Sequence, residues 1–168
     1  MCRRLPQLGT HLYSASMSRA FVNEDKAVED LPDRPVSTHP NYVTVKGLAL
    51  IDSALENFRR QHAEAQASGD RAALAKAGRE LRYWSVRRAS AQLVEARPSV
   101  DTAQFGSTVT IVRDDGRRET FQIVGEDQAN PSQGTISHVS PLAKSLLGRK
   151  VGEVVRAGRD DAEIAAIR

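Results

Sequence analysis

Two runs of apolar residues, each spaced alternately by three and four positions, constrain the fold of this 168-residue chain more than any other feature. The first run covers residues 48–65 and the second covers 74–91, and such spacing is typical of a helix that packs along one long partner. A Ser-Gly-Asp turn at 68–70 separates them, with Gly69 to end the first helix and Asp70 to cap the second, and Thr44 is placed to cap the first. The pattern predicts an antiparallel helical hairpin over residues 43–97. The predicted seam positions are Leu48, Ile51, Leu55, Phe58, His62, Ala65, Leu74, Ala77, Leu81, Trp84, Arg88 and Ala91.

The second predicted helix carries most of the positive charge of the chain. Residues 71–97 contain seven Arg or Lys against two Glu, whereas the formal net charge of the whole chain is only +3. At 100° per residue, five of these cations fall on the side of the helix away from the seam, and we interpret them as facing nucleic acid. The alternative is a helix face that meets only solvent. The five cations are Arg71, Lys76, Arg79, Arg82 and Arg87.

Residues 1–42 are polar and rich in proline, so this segment is predicted to be flexible or extended. We expect residues 1–16 to be an over-extended start and not a secretory signal, because they lack a continuous apolar core. No apolar run approaches the roughly 18–20 residues that a membrane span needs. The one cysteine, Cys2, predicts neither a disulfide nor a zinc site and favours a reducing compartment. We expect a cytoplasmic monomer that does not contact membranes.

From residue 98 onward the pattern changes from helical to strand-like. Two alternating runs flank an Asp-Asp-Gly-Arg turn at 114–117, which is a strong signal for a β-hairpin. A Ser-Pro start and a Gly end predict one short helix over 140–148. We therefore expect an α+β protein in which residues 98–168 form an antiparallel sheet with one helix on it. The predicted strands are 107–113, 119–125, 135–139, 151–155 and 163–167.

An ordered series of short motifs follows the predicted β-hairpin. Residues 124–155 read VGEDQANPSQGTISHVSPLAKSLLGRKVGEVV, with an acidic loop, G-x-I-S, S-P-L-A-x-x-L-L-G and V-G-x-x-V in that order. Upstream, MSRAFV begins at residue 17 and HPNYVT-x-x-G-L leads into the first helix. This series resembles that of the bacterial transcript cleavage factor family, GreA and GreB, over residues 17–168.

The resemblance implies a protein of two domains that binds bacterial RNA polymerase. In that family a coiled-coil hairpin enters the secondary channel of the polymerase, and an FKBP-like C-terminal domain contacts the channel rim. Carboxylates at the hairpin tip help to hold a second magnesium ion, which activates water for RNA cleavage. By this resemblance the chain is an accessory factor and not an enzyme. It has no cofactor of its own, and magnesium belongs to the polymerase active site.

The hairpin tip departs from the family pattern, which is close to G-D-x-S-E-N-A-E-Y. Residues 69–78 read GDRAALAKAG, so Asp70 is the candidate tip carboxylate and Arg71 follows it directly. Ala73 and Lys76 stand where the family has its two Glu, and the arms are predicted to be shorter. Because nearby cations oppose metal binding, we predict a regulator of elongation with weak or no stimulation of cleavage. An active cleavage factor that rescues backtracked complexes is the alternative.

The resemblance also predicts which residues of the C-terminal unit contact the polymerase. Gln128 and Asn130 replace residues that are usually acidic in the family's loop, while two acids remain beside them. The predicted polymerase-binding residues are Glu126, Asp127, Ser140, Pro141 and Leu142. The alternatives are a turn or cap role for Asp127 and a capped helix with a core Leu for the other three. With the basic helix face in the channel, the nascent RNA becomes a possible partner.

Two other classes of function fit the sequence less well. A prolyl isomerase pocket is expected to be lined by aromatics, but residues 98–168 contain only Phe105 and Phe121 and no Tyr or Trp. A direct nucleic-acid-binding module rests on the basic helix face alone, and its binding is expected to fall steeply with salt. The four His are scattered and no G-x-S-x-G or H-E-x-x-H motif occurs, so neither hydrolase chemistry nor a metal site is predicted.

Overall fold

The computed structural model describes residues 32–95 and 101–168, which form a helical hairpin joined at its base to a five-stranded sheet. The predicted α+β fold with an N-terminal hairpin is confirmed. The helices are α1 (Val45–Ser68), α2 (Arg71–Ser90) and α3 (Pro141–Leu146). The strands are β1 (Tyr42–Val43), β2 (Gln92–Leu93), β3 (Thr108–Arg113), β4 (Arg118–Val124), β5 (Thr135–Ser137), β6 (Val154–Ala157) and β7 (Asp160–Ile167).

Side-chain caps and one glycine set the ends of the hairpin helices. Thr44 Oγ1 accepts a hydrogen bond from the Gly47 amide at 2.9 Å and so starts α1. Gly69 ends α1 with φ of 72°, a left-handed conformation that favours glycine. Asp70 Oδ1 then accepts from the Ala73 amide at 3.0 Å and starts α2. The predicted turn and both predicted caps are confirmed.

The seam between α1 and α2 is apolar at its centre and polar at its base. Ile51, Leu55, Ala65 and Ala77 are buried, and the remaining apolar seam positions on both helices are partly buried. Arg88 is half exposed and pairs with Asp52 across the two helices, with 2.5 Å between Arg88 Nε and Asp52 Oδ1. At 1.5 Å per residue, the 24 residues of α1 span about 36 Å.

A parallel pair of short strands, which the sequence analysis did not predict, closes the base of the hairpin. Tyr42 pairs with Gln92 and Val43 pairs with Leu93. The Gln92 amide donates to the Asn41 carbonyl at 2.9 Å, and the Val94 amide donates to the Val43 carbonyl at 3.0 Å. The strand that leads into the hairpin, β1, and the strand that follows it, β2, are therefore neighbours and run in the same direction.

The sheet has the strand order β5-β4-β3-β7-β6 and differs from the prediction in the direction of one strand and in the bounds of several elements. It is mixed and not antiparallel, because β5 pairs in parallel with β4. Two 3-10 turns, Glu126–Gln128 and Pro131–Gln133, carry the chain back so that β5 runs in the direction of β4. β5 and α3 are shorter than predicted, and β6 covers 154–157 in place of 151–155.

We call residues 101–168 the sheet unit, and its core lies between one face of the sheet and α3. Its members alternate along the strands, as expected for a sheet with one buried face. The fully buried large side chains are Val109, Ile111, Ile123, Leu146 and Ile164. No helix of the described ranges is long and apolar enough to cross a membrane.

The segment 1–42, predicted to be flexible or extended, lies mostly outside the described residues, which begin at Pro32. Residues 32–41 contain no helix or strand. They lie along the second half of α2, where Asp33 pairs with Arg82 and Asn41 donates to the Arg87 carbonyl.

Replacing Gly125 with alanine is expected to destabilise the protein. A Cβ at this position would lie 2.5 Å from the carbonyl oxygen of Tyr42, so the backbone of β1 or of the loop after β4 has to move. We expect the free energy of unfolding to fall by about 1–3 kcal/mol, as for other overpacked sites. Chemical denaturation followed by the fluorescence of Trp84, the single tryptophan of the chain, measures this change.

Gly78→Ala in α2 is the matched control. The nearest atom to a Cβ there is 3.6 Å away, which is an ordinary contact. Because alanine is the better helix former, this variant should gain up to about 1 kcal/mol. Equal decreases in the free energy of unfolding of both variants would show that the close contact between residue 125 and the Tyr42 carbonyl does not cause the destabilisation.

Candidate functional site

A short 3-10 turn after β4, Glu126–Gln128, lies against the base of both hairpin helices, and we call it the junction turn. Its central residue, Asp127, accepts two hydrogen bonds from α2. Arg87 Nε donates to Asp127 Oδ2 at 2.5 Å, and the Tyr83 hydroxyl donates to Oδ1 at 2.6 Å. Arg87 is only 1% exposed. The hairpin is thus joined to the sheet unit through a buried, charge-assisted hydrogen bond.

The two outer residues of the junction turn also contact the hairpin. Glu126 Oε2 lies 3.6 Å from Arg87 Nη2, an ion pair that is too long for a hydrogen bond. Thr44 Oγ1, which caps α1, donates to Gln128 Oε1 at 2.5 Å. The junction turn therefore contacts α2 and the start of α1 at once, and this fixes the sheet unit at the base of the hairpin.

Tyr83 is held in its neutral, donating form at the junction. Partial burial and, in the same direction, the hydrogen bond to Asp127 raise the pKa of Tyr83 to about 12. A neutral phenol can donate to a carboxylate, whereas a phenolate cannot. The Tyr83 to Asp127 contact is therefore present throughout the physiological pH range.

An aromatic cluster lies beside the junction turn. The Tyr42 ring is 5.4 Å from the His138 ring and 6.0 Å from the Phe105 ring, between ring centroids. Burial lowers the pKa of His138, so its imidazole is neutral near pH 7 and packs as an aromatic ring. The described residues contain no group of three or more His, Cys, Asp or Glu side chains that would hold a metal ion.

The prediction that Arg87 faces nucleic acid is wrong. Rotation by 100° per residue places Arg87 away from the seam, but that side of α2 is covered by the junction turn at the base of the hairpin. Asp127, predicted to contact a polymerase, has a side chain only 7% exposed and is held by Arg87 and Tyr83. The docking role of Asp127 and Glu126 stays a prediction, and both have a structural role within the chain.

The other four cations of the basic face differ in their surroundings. Arg82 is neutralised by Asp33, with 2.7 Å between Arg82 Nη2 and Asp33 Oδ1. Arg79 is partly buried, whereas Arg71 and Lys76 are exposed. Within the described part of the chain, none of these last three has an ion-pair partner within 4.0 Å. Among the described residues, the cations of α2 without an ion-pair partner therefore lie in the half of the helix nearer the hairpin tip.

The hairpin tip contains one exposed carboxylate at the position expected for the candidate tip residue. Asp70 caps α2 through Oδ1, and Arg71 follows it as the first residue of the helix. An open cleft of about 460 Å³ lies between the arms just below the tip, with Glu64 and Lys76 among its lining residues. The tip therefore presents carboxylates and cations together, and no three carboxylates converge there among the described residues.

The predicted polymerase-binding residues of α3 occupy three different environments. Ser140 caps the helix, because its Oγ accepts from the Ala143 amide at 3.2 Å. Pro141 is exposed at the first helical position, and Leu142 is partly buried against the core. Pro141 is thus the member of this set whose side chain is exposed to solvent.

Sequence reasoning did not identify three residues that build the junction. Tyr83 and Asn41 bind α2 to its neighbours, and the guanidinium of Arg34 lies 3.7 Å from the centroid of the Tyr83 ring. The only available signal was the position of Tyr83 within the basic stretch of α2. Its partner Asp127 is 44 residues away, and no local spacing rule links them.

Known proteins with sequences similar to this chain include transcription elongation factors. The family described as "Transcription elongation factor, GreA/GreB, C-term" matches residues 97–166. The transcription elongation factor GreB of Neisseria meningitidis serogroup B is 32% identical over 151 residues, which cover 76% of this chain and 93% of that protein. GreA of Maricaulis maris is 33% identical over 132 residues, covering 67% of this chain and 84% of its own length.

Solved structures of the same group are similar at lower identity. The GreA factor homolog 1 (Gfh1) of Thermus thermophilus is 23% identical, with 77% of this chain and 99% of that chain covered and a TM-score of 0.39. A GreA/GreB factor from Nitrosomonas europaea is 14% identical, with 75% and 97% covered and a TM-score of 0.38.

Asp127→Asn is expected to destabilise the protein far more than Asp52→Asn. Both carboxylates pair with an arginine Nε at 2.5 Å, but Arg87 and Asp127 are buried, whereas Arg88 and Asp52 are half exposed. Loss of the Asp127 charge leaves the buried Arg87 with only the longer ion pair to Glu126 and should cost up to about 3–5 kcal/mol. Loss of the exposed pair should cost less than about 1 kcal/mol.

Urea denaturation of the two variants, followed by the fluorescence of Trp84, compares these costs directly. The substitution is the same at both sites, which differ in burial and in the hydrogen bond that Asp127 accepts from Tyr83. Similar midpoints for both variants would contradict the central place of the buried pair.

Proposed function

Because the chain belongs to the GreA/GreB family of transcription elongation factors, we propose that it binds bacterial RNA polymerase and regulates elongation from the secondary channel, with weak or no stimulation of transcript cleavage. It acts in the cytoplasm as an accessory factor and is not itself an enzyme. The hairpin, a rod of about 36 Å at 1.5 Å per residue, is the part that enters the channel. The sheet unit contacts the rim.

The observation that carries this proposal is the chemistry of the hairpin tip. A second magnesium ion needs several oxygen ligands close to the reacting phosphate, and carboxylates are the usual protein ligands. Asp70 offers one carboxylate, and one of its two oxygens already accepts the capping hydrogen bond of α2. Ala73, in the first turn of α2, offers no ligand atom in its side chain. The tip therefore lacks a complete ligand set for delivery of the ion.

Charge at the tip acts in the same direction. Arg71 is adjacent to Asp70 in the chain, and Lys76 lies on the cleft below it. Each cation repels a divalent ion and attracts phosphate oxygens, and the repulsion grows where the polymerase excludes water. The tip is thus better suited to the phosphates of nascent RNA than to a magnesium ion.

Docking on the channel rim is assigned to the exposed start of α3. Pro141 presents its ring to solvent, and Ser140 and Leu142 hold the helix start in place from either side. A rigid, capped turn of this kind loses little conformational entropy on binding. Glu126 and Asp127 support docking indirectly, because they hold the sheet unit against the hairpin.

The first functional prediction concerns cleavage. On stalled, backtracked elongation complexes the protein should produce little or no cleaved RNA, because the tip does not hold a second ion. Addition of the protein together with a genuine GreA factor should reduce the cleavage that the factor alone produces. Gel analysis of end-labelled RNA measures both effects.

Asp70→Asn is the informative variant, because asparagine keeps the helix cap while the negative charge is lost. Glu64→Gln removes the other carboxylate near the tip and serves as its matched control. Robust cleavage by the wild-type protein that disappears in Asp70→Asn would overturn the proposal and restore the cleavage-factor role.

The second functional prediction concerns binding. The full chain should be retained by core RNA polymerase, and Pro141→Asp should weaken retention while leaving the fold intact, because an acid is favourable in the first turn of a helix. Gln133→Asp adds the same charge at another exposed position of the sheet unit and should bind as the wild type does.

The same binding assay tests the contact with RNA. Lys76→Gln should lower affinity for complexes that contain a backtracked transcript and leave affinity for RNA-free core unchanged. If this variant and the wild type bind with equal affinity both to complexes that contain a transcript and to RNA-free core, the proposed contact with RNA is wrong. Failure of the wild-type chain to bind either form would remove the central proposal.

A further inference from the structure

The described chain begins with a segment that contacts both the hairpin and the sheet unit. Residues 33–42, which we call the brace, run beside the second half of α2 and end in β1. They contain no regular structure before β1, so their course is set by side-chain contacts and not by a backbone ladder. Its N-terminal end contacts the hairpin, and its C-terminal end contacts both the hairpin and the sheet unit.

The N-terminal end of the brace is fixed to α2 by two ion pairs and a stacked cation. Asp33 pairs with Arg82 at 2.7 Å, and Arg34 Nη1 pairs with Glu80 Oε2 at 3.0 Å. The Arg34 guanidinium also lies 3.7 Å from the centroid of the Tyr83 ring, within the range of a cation–π contact. Arg34 therefore contacts two successive turns of the helix.

The C-terminal end of the brace is buried between the two units. Asn41 Nδ2 donates to the Arg87 carbonyl at 2.7 Å, and Asn41 is 3% exposed. Tyr42 packs edge-on against Phe105 and at a tilt against His138, both of which belong to the sheet unit. The brace thus reaches from the middle of α2 to the sheet unit across the base of the hairpin.

Arg34 is linked to the junction turn through one ring. Tyr83 stacks under Arg34 on one side and donates its hydroxyl to Asp127 on the other. The flat guanidinium of an arginine can stack on an aromatic ring while its N–H groups form an ion pair. A lysine ammonium combines these two contacts less well. A rotation of α2 against the sheet unit would strain the hydrogen bond from Tyr83 to Asp127, and Arg34 restrains the ring that donates it.

We propose that the brace sets the direction of the hairpin relative to the sheet unit, with Arg34 as the positioning residue. The consequence for function rests on the proposed role in the secondary channel, because a hairpin must point along the channel while the sheet unit holds the rim. Loss of Arg34 leaves the helices and the sheet folded and widens the range of angles between them.

Distance measurement between spin labels in the free protein tests this directly. Cysteines replace Ala67, near the tip, and Arg159, in the turn before β7, in a chain whose native Cys2 is changed to serine; both labelled positions are exposed. The wild type should give a narrow distance distribution and Arg34→Ala a broader one. An unchanged distribution in Arg34→Ala overturns the proposal.

Two further variants separate positioning from general stability. Arg59→Ala removes an exposed arginine from α1, on the other arm of the hairpin, and should leave the distribution unchanged. Arg34→Lys keeps a charge for Glu80 but loses the flat stacking surface, so its distribution should be intermediate. Broadening in Arg59→Ala equal to that in Arg34→Ala would show that the brace has no special role. Thermal melting by circular dichroism confirms that each variant is folded.

A binding experiment connects the brace to the proposed function. Arg34→Ala should remain bound to core polymerase through the sheet unit but compete less well with a genuine GreA factor in the cleavage assay. If the wild type does not bind polymerase, the proposed function fails while the distance measurement still decides on the brace. Broad distances together with undiminished competition would show that hairpin direction does not matter in the channel.

Discussion

The buried ion pair between Arg87 and Asp127 is the contact on which the arrangement of this molecule depends. It joins the end of α2 to the loop after β4, where water is excluded and an unpaired charge would be costly. Each partner has a second contact, because Asn41 donates to the Arg87 carbonyl and Tyr83 donates to the Asp127 carboxylate. The hairpin and the sheet unit therefore meet through one network whose members support one another.

A single residue at the other end of the hairpin has two possible uses that compete. Asp70 stabilises the start of α2 as its cap, and the same carboxylate is the candidate ligand for an ion. In a tip with several acidic residues, one can cap the helix while others bind an ion. In this tip, Asp70, beside Arg71, is the candidate for both roles. In the protein alone, Asp70 fulfils the structural task through one of its two carboxylate oxygens.

Local patterns in the sequence predicted the parts of the fold that local physics determines. The helical hairpin, its caps at Thr44 and Asp70 and the left-handed Gly69 all follow from spacing and residue type within one or two turns. The parallel strand β5 did not follow, because its direction is set by the two 3-10 turns before it. The role of Arg87 was missed for a related reason, since its partner lies 40 residues away and only the folded sheet unit brings it near.

The parallel pairing of β1 with β2 has a consequence for how the length of the hairpin can change in evolution. These strands close the hairpin through backbone hydrogen bonds at its base, so closure does not depend on the length of the arms. Seven residues added to each arm would extend the rod by about 10 Å and keep the seam in phase. The distance that the hairpin spans can therefore be lengthened or shortened in discrete steps, while the sheet unit and its contacts at the base stay as they are.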